Sequence, residues 1–113
     1  MHEYSIVQAL LNQCEEHARA NDAEKITKIE VKIGVLSGVE PHLLETAFNT
    51  FKEKTVCDGA EFVMRIQPVV IYCSECEEEF TLGEHDYSCP KCRGNLVKIL
   101  DGEEMLLMRL EMV

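Results

Sequence analysis

The 113-residue sequence has no tryptophan, and its eleven lysines and arginines are outnumbered by twenty-one aspartates and glutamates. The formal charge of −10, with no basic cluster along the chain, excludes recognition of a phosphate backbone, because that affinity comes largely from lysine and arginine. A surface of this sign suits basic protein partners or cations. No apolar run approaches the ~20 residues of a membrane span. The opening MHEYSIVQALLNQCEEH lacks the basic start and the apolar stretch of a secretory signal. Six cysteines are few for a disulfide scaffold, and four of them fall in CxxC pairs, a pattern of metal binding in a reducing compartment. The expected location is the cytoplasm, with neither nucleic acid nor membrane among the partners. The missing tryptophan excludes no function.

What is present is a chain of single-domain length, 46% hydrophobic, small enough that a bound metal is a common source of reinforcement. Val7, Leu10, Leu11, Cys14 and Ala18 recur at helical spacing and predict a helix over residues 4–20. Ser5 and Gln8 make a capping-box pattern for it, unless the helix begins a turn earlier. KITKIEVKIGV then switches to period two, with Ile29, Val31, Ile33 and Val35 alternating with Lys28, Glu30 and Lys32. Pro41 suits the first position of a second helix, which carries Leu43, Leu44, Ala47, Phe48 and Phe51 and stops near Lys54. AEFVMRIQPVV reads as a second strand, with Phe62, Met64 and Ile66 on one face and Pro68 at its exit or edge. EMLLMRLEMV alternates again, and its inward row is read as Leu106, Met108, Leu110 and Met112.

The expected fold is α+β: a small sheet of about three strands packed with two helices in the order α-β-α-β-β, with an inserted zinc-ribbon-like subdomain. Residues 1–70 plus 101–113 form the first unit and 71–100 the second.

Cys73, Cys76, Cys89 and Cys92 make the pattern C-x2-C-x12-C-x2-C. Two intervening residues let both thiolates of a knuckle reach one ion, and two knuckles close a tetrahedron of four sulfurs, which suits zinc. In CPKCRG, Pro90 presets the turn and Gly94 is expected to supply a positive φ. Four thiolates leave no position for water, so the zinc is structural. Iron in a rubredoxin-like centre is the alternative metal, but aromatic packing around the knuckles is thin. Glu75, Glu77, Glu78, Glu79, Glu84 and Asp86 outweigh Lys91 and Arg93, pointing this ribbon away from phosphate.

The first three residues, MHE, carry a different chemistry. The Met1 amine, the His2 amide nitrogen and the His2 Nδ1 can form two fused chelate rings around one ion. Losing the amide proton requires a metal that rewards a strong planar field, which favours Ni(II) or Cu(II) over Zn(II). A bulky second residue keeps the initiator methionine in place. If a helix begins just after, its first N–H groups have no intrahelical partner, so using one as a ligand breaks no helical bond. Glu3 adds a nearby carboxylate. The plain alternative is a frayed terminus with an ordinary polar residue.

MHEYSI at the start, KIEVKIGVLSGVEP in the middle and the paired knuckles near the end resemble the HypA/HybF family of nickel metallochaperones for [NiFe]-hydrogenase maturation. The likeness runs from Met1 to the terminal strand MRLEM. It implies a nickel-binding α+β unit, a separate structural zinc unit, and a carrier of Ni(II) rather than an enzyme. It implies as partners a HypB-type nickel GTPase and the [NiFe]-hydrogenase large-subunit precursor. In some bacteria the family also supports urease maturation, which adds urease accessory proteins. The nickel residues it carries over are His2, the Met1 amine and the backbone of His2 and Glu3. The acidic residue before the second helix, often Asp in relatives, falls on Glu40, which would orient His2 or supply a ligand. The fourth nickel ligand stays open between the Glu3 amide and the Glu3 or Glu40 carboxylates. Some relatives set histidines beside the knuckles, whereas Glu77 and Arg93 stand there in this chain, so a ligand-exchanging zinc site is not expected.

The competing reading is a zinc-ribbon adaptor in which MHE is incidental and the acidic surface binds only proteins. An iron electron carrier is a third. His17, His42 and His85 read as solvated or structural side chains, and Cys14 as a small core residue. Cys57 falls in a turn, and neither it nor Cys14 has the companions of a nucleophile.

Overall fold

The computed structural model describes residues 2–83 and 87–113, His2 by its backbone alone. The elements run α1 (His2–Ala20), β1 (Ile26–Gly34), α2 (Pro41–Phe51), β2 (Glu61–Gln67), β3 (Val69–Cys73), β4 (Glu78–Leu82), β5 (Val97–Asp101) and β6 (Met105–Met112). Two helices and two three-stranded sheets, ordered β2-β1-β6 and β4-β3-β5, make an α+β fold of the expected kind. Helix α1 begins at His2, so Ser5 lies inside it rather than at its cap. Helix α2 has Glu40 as N-cap and Pro41 in its first turn, and it ends at Phe51, where the Lys52 amide donates to the Phe48 carbonyl.

In the first sheet β1 is central, parallel to β2 and antiparallel to β6. The helices lie against one apolar side. Val7, Leu10 and Cys14 of α1 and Leu44 and Phe48 of α2 pack with Ile29, Val31 and Ile33 of β1 in one buried cluster. Phe48 stacks on Phe62 with ring centroids 4.4 Å apart, fastening α2 to β2. On the wet side Arg65 reaches Glu30 at 3.0 Å, which explains the charged residues in β1's alternation.

The stretch expected as a single second strand is divided at Pro68, whose missing N–H ends the ladder, and its halves join different sheets. Strand β6 departs from strict alternation. Met105, Leu107, Leu110 and Met112 face the core, whereas Leu106 and Met108 are 42% and 51% exposed. The expected inward row is therefore wrong in its first half. The pairing passes from Glu30–Arg109 to Val31–Leu107, leaving Met108 without a partner residue. This bulge inverts the facing of every residue before it. Val35, expected inward, lies beyond the end of β1 and is exposed.

The second sheet has its own small cluster of Val69, Ile71 and Leu82, onto which Leu36 from beyond β1 also packs. The sheets meet where backbones nearly touch. A Cβ built on Gly34 would lie 2.3 Å from the Gly102 carbonyl oxygen, and one on Gly102, at φ +106°, 2.9 Å from the Val69 Cα. Gly34 N donates to Glu104 O, Val35 N to Gln67 O and Leu36 N to Gly102 O. Lys32 of β1 pairs with Asp101 of β5 at 2.9 Å, bridging the sheets.

Two outcomes follow at this joint. Gly34→Ala should cost about 3 kcal/mol of stability in denaturant unfolding at fixed zinc, because the added carbon meets backbone rather than a side chain that can turn away. The Lys32 ammonium and the Gly102 amide hold the Asp101 carboxyl below its ordinary value of 3.8. Its contribution is thus present above pH 3.8 and is lost as pH falls through the lower folded value. Asp101→Asn should be less stable than the native chain at neutral pH, with the gap closing in acid. A constant gap across that range would remove the ion pair from the account.

Candidate metal centres

The four cysteines converge. Cys73 ends β3, Cys76 follows in a turn, and Cys89 and Cys92 come from the segment between β4 and β5. All four Sγ atoms lie within 4.8 Å of one another, with Cys73–Cys92 at 3.7 Å and Cys76–Cys89 at 3.9 Å. Four sulfurs placed tetrahedrally at about 2.3 Å from one zinc would be about 3.8 Å apart, which the Cys73–Cys92 and Cys76–Cys89 pairs match, so the donor set suits zinc. Cys73 and Cys89 are buried, Cys76 is intermediate and Cys92 exposed, so the site opens on one side.

The two knuckles repeat one local design. Glu77 N donates to Cys73 O and Arg93 N to Cys89 O, each at 2.8 Å. The residue after each second cysteine, Glu77 or Arg93, takes a left-handed conformation, at φ 53° and 63°. The expected positive φ at Gly94 therefore belongs to Arg93. Gly94 matters for space instead, since a Cβ there would stand 3.3 Å from Cys92 Sγ. The Lys91 and Cys92 amides both point at Cys89 Sγ, at 3.4 Å. Burial alone would raise the Cys89 thiol, but these amides and the neighbouring thiols bring it down to about 7. Cys76 goes the other way, pushed up to about 12 by desolvation and by hydrogen bonds among the cysteines. An easily ionised Cys89 beside the more reluctant Cys76 and Cys92 is how coupled sulfurs share protons before a cation collects them. Lys91 bridges the knuckles through Glu78 at 3.1 Å.

The other candidate residues gather at the start of α1. Met1 lies outside the described residues, as does the His2 side chain, while the His2 backbone opens the helix. The Glu40 amide donates to Glu3 Oε2 at 3.4 Å, and Glu40 Oε2 accepts from the Leu43 amide at 2.6 Å. The structure thus sets Glu40 beside Glu3, across 37 residues of chain, and brings the first turns of both helices together. The extra methylene of Glu over Asp still allows capping. Tyr4, next to Glu3, meets Phe51 at the other end of α2 edge-on, with ring centroids 4.7 Å apart.

His17 and His42 are exposed, and their recorded hydrogen bonds, to Asn21 and Thr46, are made by their carbonyls. His85, with Glu84 and Asp86, lies outside the described residues. Cys14 and Cys57 are both fully buried in the first cluster. The Glu3–Glu40 contact had no signal in local sequence.

A family model described as hydrogenase/urease nickel incorporation, metallochaperone, hypA matches residues 1–112. The chain is 55% identical over 112 residues to a hydrogenase maturation factor HypA of Shewanella baltica strain OS195, covering 99% of this chain and 96% of that one. It is 51% identical over 112 residues to the factor of that name from Aquifex aeolicus, covering 99% and 97%. The solution structure of the Ni metallochaperone HypA from Helicobacter pylori superimposes with a TM-score of 0.71 at 40% identity, over 98% of this chain and 97% of that one. A second HypA solution structure gives 0.76 at 41% identity, over 100% and 97%. With its two helices, two three-stranded sheets and four-cysteine cluster, this chain belongs to the HypA family of hydrogenase and urease nickel-incorporation metallochaperones.

Proposed function

We propose that this protein carries Ni(II) on its N-terminal Met1-His2-Glu3 and delivers it by direct contact during maturation of a [NiFe]-hydrogenase. Residues 1–70 plus 101–113 would serve as the nickel-binding unit and 71–100 as the zinc-binding subdomain. The observation that carries this reading is the contact between Glu3 and Glu40 at the joined helix starts. Both helices turn their positive dipole ends to this corner, an environment that by itself repels a cation. Two carboxylates there reverse the local sign, and the ionised His2 amide would reverse it further. The amide sits where α1 leaves its first N–H groups without intrahelical partners, so giving it to nickel costs no helical bond.

The Met1 amine, His2 amide nitrogen and His2 Nδ1 supply three nitrogens of a planar set. The Glu3 amide and the Glu3 and Glu40 carboxylates are the candidates for the fourth place. Glu40 Oε2 accepts from Leu43 and Glu3 Oε2 from Glu40, so the second oxygen of each carboxylate is the candidate donor. A site at a chain end can be dismantled ligand by ligand, which suits a cargo that must be released.

Cys73, Cys76, Cys89 and Cys92 would hold zinc, closing the turns between β3 and β5 and performing no reaction. The HypB-type nickel GTPase and the hydrogenase large-subunit precursor are the proposed partners, with urease accessory proteins where urease is served. Among the described residues no helix is long and apolar enough to cross a membrane. We place delivery in the cytoplasm and read the protein as a carrier, not a catalyst.

Calorimetric titration of Ni(II) into zinc-loaded, untagged protein should give one equivalent, lost in His2→Ala and on adding a single residue before Met1. Equal binding by all three would sink the N-terminal site and leave the zinc-ribbon adaptor. Glu40→Gln keeps a capping oxygen but removes charge, and should weaken nickel about tenfold. Stripping zinc with a chelator should expose the amides of residues 69–101 to hydrogen exchange while β1 and α1 stay protected. Uniform loss across both sheets would make the zinc a support for the whole fold.

A further inference from the structure

Helix α1 turns one flank to α2 and the other to β6, and along the second flank the surface is hollowed. One hollow, of about 310 Å³, is lined by Ile6, Ala9 and Gln13 of α1 with Met105, Leu106 and Leu107 of β6. The next, of about 240 Å³, lies between His17 of α1 and Leu107, Met108 and Met112 of β6. Leu107 lines both, so they run end to end as one groove between helix and strand. Among the described residues no strand pairs with the outer edge of β6, and Leu106 and Met108 are exposed there. Three of the five methionines, Met105, Met108 and Met112, stand in this groove. Their unbranched thioether side chains adapt to the shape of whatever lies on them, which suits a surface that receives a partner.

A β-strand is a poor occupant, because the bulge at Met108 breaks the row of main-chain donors and acceptors that a fourth strand would need. A helix satisfies its own backbone and binds through side chains alone, so the bulge costs it nothing. The eight residues of β6 span about 26 Å, the length of about 17 residues of helix. Neither helix of this chain can fill the groove, in the same copy or in another. Val7, Leu10 and Cys14 of α1 and Leu44 and Phe48 of α2 are already buried in the first core.

The rim sets the sign of the occupant. Glu16 follows Ala9 and Gln13 at helical spacing, and Glu103 and Glu104 lead into Met105. All three are exposed, and no ion pair engages them among the described residues. Arg109, which lines the groove, is already paired with Glu111 at 3.5 Å. A second copy of a chain with a formal charge of −10 is repelled by such a rim, and a cationic segment is drawn to it.

We propose that the groove between α1 and β6 is a docking site for a basic amphipathic helix of a partner protein. Its apolar face lies on Leu106, Leu107 and the three methionines, and its lysines and arginines meet Glu16, Glu103 and Glu104. This surface goes beyond the nickel reading and does not rest on it, since none of the proposed nickel or zinc donors lines the groove.

The test uses the full chain, nitrogen-15-labelled, zinc-loaded and free of nickel, so failure of the N-terminal metal site leaves it untouched. The probe is a leucine–lysine peptide of about 17 residues with its leucines on one helical face. A scrambled peptide of the same composition is the control. One peptide should bind per chain and gain helical circular dichroism, with amide shifts confined to the β6-facing flank of α1 and to residues 103–112. Ala9→Lys sets a cation in the groove and should weaken binding about tenfold, whereas Asn49→Lys, the same charge on the exposed face of α2, should change it less than about twofold. No binding, shifts scattered over the acidic surface, equal binding of the scrambled peptide, or equal weakening by both lysines would overturn the proposal. A peptide that gains strand signal, or a chain that closes the groove by forming dimers without peptide, would give the groove to another occupant and overturn it too. The shift map of the unmutated protein decides the matter even if a variant does not fold.

Discussion

The near-contact of two backbones at Gly34 and Gly102 is the constraint on which the rest of this structure depends. Three passages of chain cross there: the end of β1, the Pro68 step from β2 to β3, and the Gly102 step from β5 to β6. No side chain separates them, so the two sheets are joined by the Leu36 amide, which donates to the Gly102 carbonyl, and by the Lys32–Asp101 pair. Leu36 then seats in the second cluster, giving each sheet an apolar stake in the other's position. A small chain with two modest cores thereby holds both in a defined relation.

Within that frame the two candidate metal centres are opposite in kind. The cysteine cluster is a closed set of four soft donors gathered within 4.8 Å of one another and fixed by two matching turns. The N-terminal corner is an open set of hard and borderline donors, assembled where two helix starts converge. A closed sulfur set suits permanence, and an open set at a chain end suits exchange. The proposed division, one metal for shape and another for transport, accords with membership of a nickel-incorporation family.

Much of this was legible because it is local. The spacing of Cys73, Cys76, Cys89 and Cys92 encodes a cluster without reference to the rest of the chain, and Pro41 and Lys28–Lys32 announce their elements by periodicity alone. Most of the failures were nonlocal. Facing in β6 depends on its register with β1, and the bulge at Met108 has no mark in EMLLMRLEMV itself. Gly94 looked like the residue needing positive φ because glycine adopts it freely, yet the repeated knuckle geometry puts that burden on Arg93. The contact of Glu3 with Glu40 is created only by packing α1 on α2. Chemistry that depends on the chain's own order could be read, whereas chemistry made by tertiary meeting could not.

The bulge at Met108 has a consequence for colloidal behaviour. Strand β6 stands at the end of its sheet, and it is eight residues long with leucine and methionine exposed on it. A flat apolar edge of that length is a template on which further copies of a chain can add, strand upon strand. The misplaced residue twists the edge and interrupts the regular row of donors and acceptors that such growth requires. A bulge of this kind works against such growth through an irregularity in register rather than through a wall of charge.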